Sequence, residues 1–410
     1  MINKKEKIQT DIIKACCEKK ITERDAALRL KISVRQVQRL KAKYKKGISF
    51  LHGNCGKLPA ITLPESQKQK ILEEFCKEVY KGVNFTHFTE LISNKPFAAS
   101  YTAISKLLRE NGYKSSQKRQ KKSAKEVHKT RKRRSKRGEL IQIDGSPHDW
   151  FNTGNLSTIH VCVDDATSDL VGLHMSDNEC SDGYYEAMRY MLEKEGTPEA
   201  IYADGLSIFF SNGKQDLTIE DELAGTREKQ TQFGKICDEL GIELIHAHSA
   251  PAKGRVESAN DTLQGRLPVE FALRGIDNIE AANKFLKEEY IDMYNAKFGV
   301  NHEVKSCFVK LPSSVDLDEL LSWKTTRKTD RGGCFSLNNV LFRVEGTAII
   351  RKTVEVLISK RLGIVVKHNN KFYDVIPISF KKQNIDSSDS TNMIVARFVA
   401  LYTLKNEHCG

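Results

Sequence analysis

Three acidic residues stand where a metal-assisted phosphoryl transfer would need them. Asp144 ends the run Leu140-Ile-Gln-Ile-Asp144 and Asp204 ends Ala200-Ile-Tyr-Ala-Asp204, each a short apolar stretch followed by glycine. Such a run reads as a strand that delivers a carboxylate at the edge of a sheet. Glu257 lies in Ala252-Lys-Gly-Arg-Val-Glu257-Ser-Ala-Asn260, on the first turn of an expected helix. Three hard oxygen donors brought together suit Mg²⁺ or Mn²⁺. Two such ions about 3.5 to 4 Å apart activate an attacking oxygen and stabilise the leaving one in an in-line displacement. Asp144, Asp204 and Glu257 are therefore the expected catalytic and metal-binding residues. Lys253 and Arg255, just before Glu257, are expected to meet phosphate oxygens.

The elements that must position these acids follow from the alternation of strand and helix patterns after residue 139. Strands are expected at 139–145, 157–164, 169–175, 199–203 and 242–247, with helices at about 182–194, 226–240, 252–266 and 279–296. Three adjacent strands followed by alternating helix and strand give a mixed sheet flanked by helices. That order is the order of a ribonuclease H-like domain, here spanning 139–300. Asp164 and Asp165 read as turn formers, and Trp150 as a ring packed beneath the site. His246 and His248 read as structural histidines that could also touch metal or DNA.

Two other regions flank this core. In residues 1–50, Thr22-Glu-Arg-Asp25 reads as a capping box, and Ser33 caps a second helix whose Val34, Val37, Leu40 and Tyr44 form an apolar stripe. Arg35, Gln36 and Arg39 fall off that stripe, where a helix-turn-helix would read base edges and phosphates. A second helix-turn-helix is expected over 62–113, with Tyr101, Thr102, Ser105 and Lys106 as groove contacts. Beyond the core, short strand patterns within 328–400, with turns at Gly332-Gly333 and Asn369-Asn370, suggest a small β-barrel. The expected fold class is thus multidomain α/β: N-terminal helix-turn-helix modules, a ribonuclease H-like core and a C-terminal barrel.

Charge is segregated in the same way. Residues 1–137 hold 36 Lys and Arg against 12 Asp and Glu, whereas the remainder is acidic, although the whole chain is net +13. A basic linker at 114–138 contains 13 Lys and Arg within 114–137, and is expected to order only on nucleic-acid phosphates. The chain has 410 residues, enough for several domains at roughly 150 residues each. No apolar stretch approaches the roughly 20 residues needed to span a bilayer, and the N-terminus lacks a signal-peptide pattern, so a cytoplasmic, nucleoid-associated protein is expected. The ten cysteines are scattered without zinc spacing, which argues against a disulfide framework or zinc finger.

The runs Ile141-Gln-Ile-Asp-Gly-Ser-Pro-His-Asp-Trp-Phe151, Asp164-Asp-Ala-Thr-Ser168, Thr231-Gln-Phe-Gly234 and His246-Ala-His-Ser-Ala-Pro-Ala-Lys-Gly-Arg-Val-Glu257 resemble insertion-sequence transposases of the ISNCY type, within the retroviral-integrase-like DDE superfamily. The resemblance covers most of the chain. It implies a core in which Asp144, Asp204 and Glu257 bind two Mg²⁺ ions and cut and join double-stranded DNA. It also implies helix-turn-helix binding to terminal inverted repeats and assembly as a homo-multimer. The 52 residues between Asp204 and Glu257 imply a loop insertion around Ser211 to Glu228. Gly205, Leu206 and Ser258 replace basic and histidine residues of the pattern, which removes phosphate contacts. A DNA-binding regulator with an impaired core is the rival reading, and a ribonuclease H-type nuclease a more distant one.

Overall fold

The computed structural model describes residues 4–48, 50, 63–116, 132–210, 230–247, 253–301, 303–346, 349–380, 394–396 and 398–399. Most of the expected basic linker, the expected insertion at 211–228 and His248 lie outside the described residues. Two compact units are present, Met1–Lys68 and Gln69–Gly410.

The first unit contains α1 (Lys4–Cys17), α2 (Glu23–Leu30) and α3 (Val34–Lys45). Its sequence punctuation works as read. Thr22 and Asp25 form a reciprocal capping box that opens α2, and Lys31 in the left-handed conformation ends it. The Ser33 hydroxyl then accepts from the Gln36 N–H to open α3. Ile13, Cys16, Ala26, Ala27 and Val37 form the buried centre. Val34 departs from the expected stripe: it is 37% exposed, because α3 begins there and packs only from its next turn, at Val37. Arg35, Gln36 and Arg39 are exposed, while Gln38 and Lys41 bond the Glu23 carboxylate of α2.

In the second unit, helices Phe85–Leu91 and Tyr101–Glu110 pack with Phe75, whose ring meets Phe85, Phe88 and Tyr113 edge-on. Asn84 and Ser100 cap the two helices. Ser105, expected to face a groove, is buried and bonds the Thr102 carbonyl. The helix turns its apolar Ile104, Leu107 and Leu108 inward and takes Ser105 with them.

The five-stranded sheet comprises β1 (Ile141–His148), β2 (Ser157–Asp164), β3 (Leu170–Ser176), β4 (Ala200–Ala203) and β5 (Glu243–His246), in the order β3-β2-β1-β4-β5. β1 and β3 run antiparallel to β2, and β4 runs parallel to β1 and β5. The sheet is therefore mixed, as expected. Alternation sends Ile141 and Ile143 into one core with Tyr184, Met188 and Met191 of the helix Ser181–Lys194. Ile159, Val161 and Val163 enter the opposite core with Trp150, Val256, Ala259 and Leu263.

One expectation needs correction. Asp144 does not end its strand: β1 pairs with β2 through all eight of its residues, up to His148↔Ser157. β4 pairs with β1 only at Ile141 and Gln142. Asp144 thus sits within a strand whose β4 side has lost its partner, beside the point where the chain leaves β4 at Asp204.

His160 ties this sheet to the turn before the helix Ser181–Lys194. The Cys180 N–H donates to its Nε2, and its Nδ1 meets the His174 carbonyl, a pattern that requires a neutral ring protonated on Nδ1. Burial pushes His160 down to about 4 and His174 to about 3. Both are depressed below their unfolded values near 6.5, so the unfolded chain binds more protons than the folded one between those limits. Stability should fall as pH drops from about 6.5 toward 4, by up to about 1.4 kcal/mol per unit for each group. Urea midpoints across that range check this: a His160→Gln variant should show a shallower slope, and an equal slope would contradict the assignment.

The remaining sheet is antiparallel, formed by β6 (Trp323–Lys328), β7 (Cys334–Leu337), β8 (Val340–Val344), β9 (Thr353–Ser359), β10 (Gly363–His368) and β11 (Lys371–Phe380). Its order is β6-β9-β10-β11-β8-β7. It is nearly closed, because Arg327 of β6 donates to the Ser336 carbonyl of β7. Phe335, Phe342, Val356 and Val366 fill its interior. Asn338-Asn339 and Asn369-Asn370 both take left-handed conformations, which makes two-residue hairpin turns whose twist matches the strands.

Candidate active site

One face of β1 supplies a polar seam. Gln142, Asp144 and Ser146 alternate with Ile141 and Ile143, so their side chains share a face. All three bond the helix Gly254–Gln264. The Gln142 Oε1 accepts from the N–H groups of Arg255 and Val256, satisfying two donors that a helix start otherwise leaves orphaned. The Gln142 amide in turn donates to the Asp165 carboxylate. At the other end, the Gln264 amide donates to the Ser146 hydroxyl. The helix is therefore pinned along β1 with Asp144 beneath its middle.

Asp144 receives two groups from this helix. The Lys253 ammonium lies 2.7 Å from its Oδ1, and the Asn260 amide donates to its Oδ2 at 3.0 Å. Burial nonetheless pushes the Asp144 carboxyl above its usual range, against the pull of Lys253. The same ammonium lies 3.5 Å from the Asp204 Oδ2, and the other Asp204 oxygen accepts from the Leu206 N–H. Two of the three expected acids thus converge on one cationic group.

Glu257 does not join them. It is exposed, on the first turn of the helix. Its position is nonetheless informative: Lys253 is four residues before it and Asn260 three after, so the three lie along one helix face, and both neighbours contact Asp144. Arg255 is half-buried, near enough to Arg133 for the two charges to interact. Lys253, expected to be open to phosphate, is only 8% exposed.

A further acid stands nearby that sequence reading missed. Glu179 accepts from the Tyr184 hydroxyl at 2.5 Å, and burial raises its carboxyl, with Asp144 and Asp204 adding to the rise. It lies against the backbone of Gly145, where an added Cβ would fall 2.6 Å from its carboxylate. Only glycine after Asp144 allows that approach. His246 packs against the Phe210 ring and faces Gly205, the residue that follows Asp204.

The donor set can be tested for a divalent cation. Among the described residues, no group of three or more His, Cys, Asp or Glu side chains is close enough to hold a metal ion. Asp144 and Asp204 are nevertheless hard oxygen donors already sharing one positive charge, the Lys253 ammonium. The pair fits a divalent ion, and Glu257 stands apart from it.

No family model matches the chain. Among known proteins, the chain is 32% identical over 354 residues to a transposase for insertion sequence IS1202 from Streptococcus pneumoniae, covering 78% of this chain and 74% of that protein. It is 39% identical over 174 residues to the putative transposase y4bF of Sinorhizobium fredii, covering 42% of this chain and 36% of that one. Solved structures include the HTLV-2 integrase catalytic core domain in complex with magnesium, at 17% identity and a TM-score of 0.29 over 42% of this chain and 94% of that one. A simian T-cell lymphotropic virus intasome matches at 14% identity and a TM-score of 0.31, over 78% and 99% of the respective chains; at such scores neither structure adds to the argument. No described helix is long and apolar enough to cross a membrane. The extent and identity of the IS1202 match place the chain plainly: it belongs to the insertion-sequence transposases.

Proposed function

We propose that this transposase cuts and joins DNA at the ends of its element with Asp144, Asp204 and Glu257 as the acids at the reacting phosphate. As a DDE-type polynucleotidyl transferase, it exchanges one phosphodiester for another. The observation that carries the assignment is the convergence of Asp144 and Asp204 on one ammonium at 2.7 and 3.5 Å, beside a helix face that also bears Glu257. Mg²⁺ or Mn²⁺ held there, in one or two ions, would lower the pKa of the attacking water or 3′-hydroxyl and take up charge on the leaving oxygen. Asn260 holds one oxygen of Asp144 and leaves the other facing the cation position. Gln142 fixes the helix start that carries Lys253 and Glu257.

The DNA would be gripped elsewhere as well. Arg35, Gln36 and Arg39 on the exposed face of α3 suit base edges and phosphates in a major groove, in the manner of a helix-turn-helix. Residues 114–138 supply phosphate contacts by charge alone. Two element ends must be held at once, so the working form is a homo-multimer on DNA. A regulator without activity is the second reading, and the exposed position of Glu257 is the observation in its favour.

A labelled duplex carrying the element's inverted repeat, offered with supercoiled plasmid and Mg²⁺, separates the readings. Joined product is expected from an end with a 3′-hydroxyl and none from a 3′-deoxy end, because the hydroxyl is the nucleophile. A plain nuclease would nick with either end. A regulator would bind both and change neither.

A further inference from the structure

Lys253 is placed where a transposase of the proposed kind would put its metal. Lys253 is buried, 8% exposed as a residue, and its ammonium spans the two strand acids, bonding Asp144 and approaching Asp204. It sits at the N-cap of the helix Gly254–Gln264, and its charge acts on Glu179 as well as on the acid pair. An ammonium is a single charge on a flexible stem with a strong affinity for phosphate oxygens. A divalent cation carries twice that charge and cannot share the position with it.

We propose that Lys253 is an internal counter-cation: its ammonium holds the divalent-ion position in the metal-free enzyme, leaves it when the ion binds, and turns to the phosphate of the incoming DNA end. The inference rests on the proposed roles of Asp144 and Asp204. Its consequence is a coupling between metal and DNA. A phosphate that takes Lys253 frees the acids for the ion, and an ion that takes the acids frees Lys253 for the phosphate. Each ligand therefore tightens the other by the same factor. The bare protein, with its acids neutralised internally, binds metal weakly and stays inert until it meets DNA. Asn260 stays on Asp144 throughout, keeping the carboxylate oriented while its partner changes.

The experiment uses the full chain and Mn²⁺, followed by titration calorimetry and by amine labelling read by mass spectrometry. Without metal, Lys253 of the wild type should label slowly, and saturating Mn²⁺ should speed its labelling severalfold relative to exposed lysines such as Lys106. Lys253→Gln should bind Mn²⁺ about tenfold or more tightly than wild type in the absence of DNA, since removing one charge that lies 2.7 and 3.5 Å from two carboxylates is worth about that factor. Lys253→Arg should stay near the wild-type value. The tightening of Mn²⁺ by end DNA should shrink in Lys253→Gln. Unchanged or slower Lys253 labelling with Mn²⁺ would overturn the proposal even if the Gln variant fails to fold. So would a Gln variant that binds Mn²⁺ no more tightly. Asp144→Asn separates this failure from failure of the underlying assignment. If Mn²⁺ still binds Asp144→Asn as it binds the wild type, Asp144 is not a ligand. If binding is lost there while Lys253→Gln shows no gain, the acids stand and only the role of Lys253 falls.

Discussion

Purified protein carrying Asp144→Asn should bind a duplex with the inverted repeat as the wild type does, yet join it to a target plasmid slower by about a thousandfold or more, the scale on which a preorganised charge-stabilising group acts. The substitution is nearly isosteric. An asparagine carbonyl can still accept from Asn260, as Asp144 does at 3.0 Å, and the seam made by Gln142 and Ser146 is untouched. What is lost is the charge that Lys253 neutralises and that a metal would require. Lys253 keeps Asp204 at 3.5 Å as a partner, so the variant should stay folded, with urea unfolding as the check. Joining within tenfold of wild type would remove Asp144 from the reaction.

Trp150→Ala should cost about 3 to 5 kcal/mol of stability, the range for truncating a large buried aromatic side chain, with urea unfolding as the readout. The ring is fully buried, and its Nε1 donates to the Ser157 carbonyl at 2.9 Å, closing the connection between β1 and β2. It packs in the same core as Val256, Ala259 and Leu263, the inward side of the helix whose other face carries Lys253, Glu257 and Asn260. Trp150→Phe should recover most of the packing but not the hydrogen bond, and should fall between the two. A loss below about 1 kcal/mol for the alanine variant would contradict this account of the core.

Much of this architecture was legible because it depends on local rules. The capping residues Thr22, Ser33 and Ser100 open the helices they mark, and the Asn369-Asn370 pair turns the hairpin it punctuates. Asp204 follows its strand as read. Asp144 was displaced from the expected strand end because the apolar run stops before it, whereas the ladder to β2 carries Gly145, Ser146 and Pro147 on as strand. Tertiary pairing overrode local propensity there.

The polar alternation of Gln142, Asp144 and Ser146 is present in Ile141-Gln-Ile-Asp-Gly-Ser146. A buried polar face on a central strand is costly unless partnered, which is the signal that a helix terminus was waiting to receive Gln142. Asn260, three residues past Glu257, was similarly readable from helical spacing. Glu179 was not. Its place beside Gly145 depends on where the chain turns after β3, a long-range packing outcome that no spacing encodes. The contacts of Lys253 with two acids were hidden for the same reason: sequence set it beside phosphate, and only the folded chain also set it between Asp144 and Asp204.

Strand transfer by the Glu257→Gln variant is the sharpest test of the three-acid assignment, because Glu257 is the one acid of the three that stands outside the cluster. The substitution changes an exposed side chain and leaves the Asp144, Asp204 and Lys253 contacts intact. With wild type alongside, a labelled inverted-repeat duplex, supercoiled plasmid and Mg²⁺, joined product is expected from the wild type, and unimpaired end binding without joined product from the variant. Joining by Glu257→Gln at the wild-type rate would contradict it, since the site would then work without its third acid.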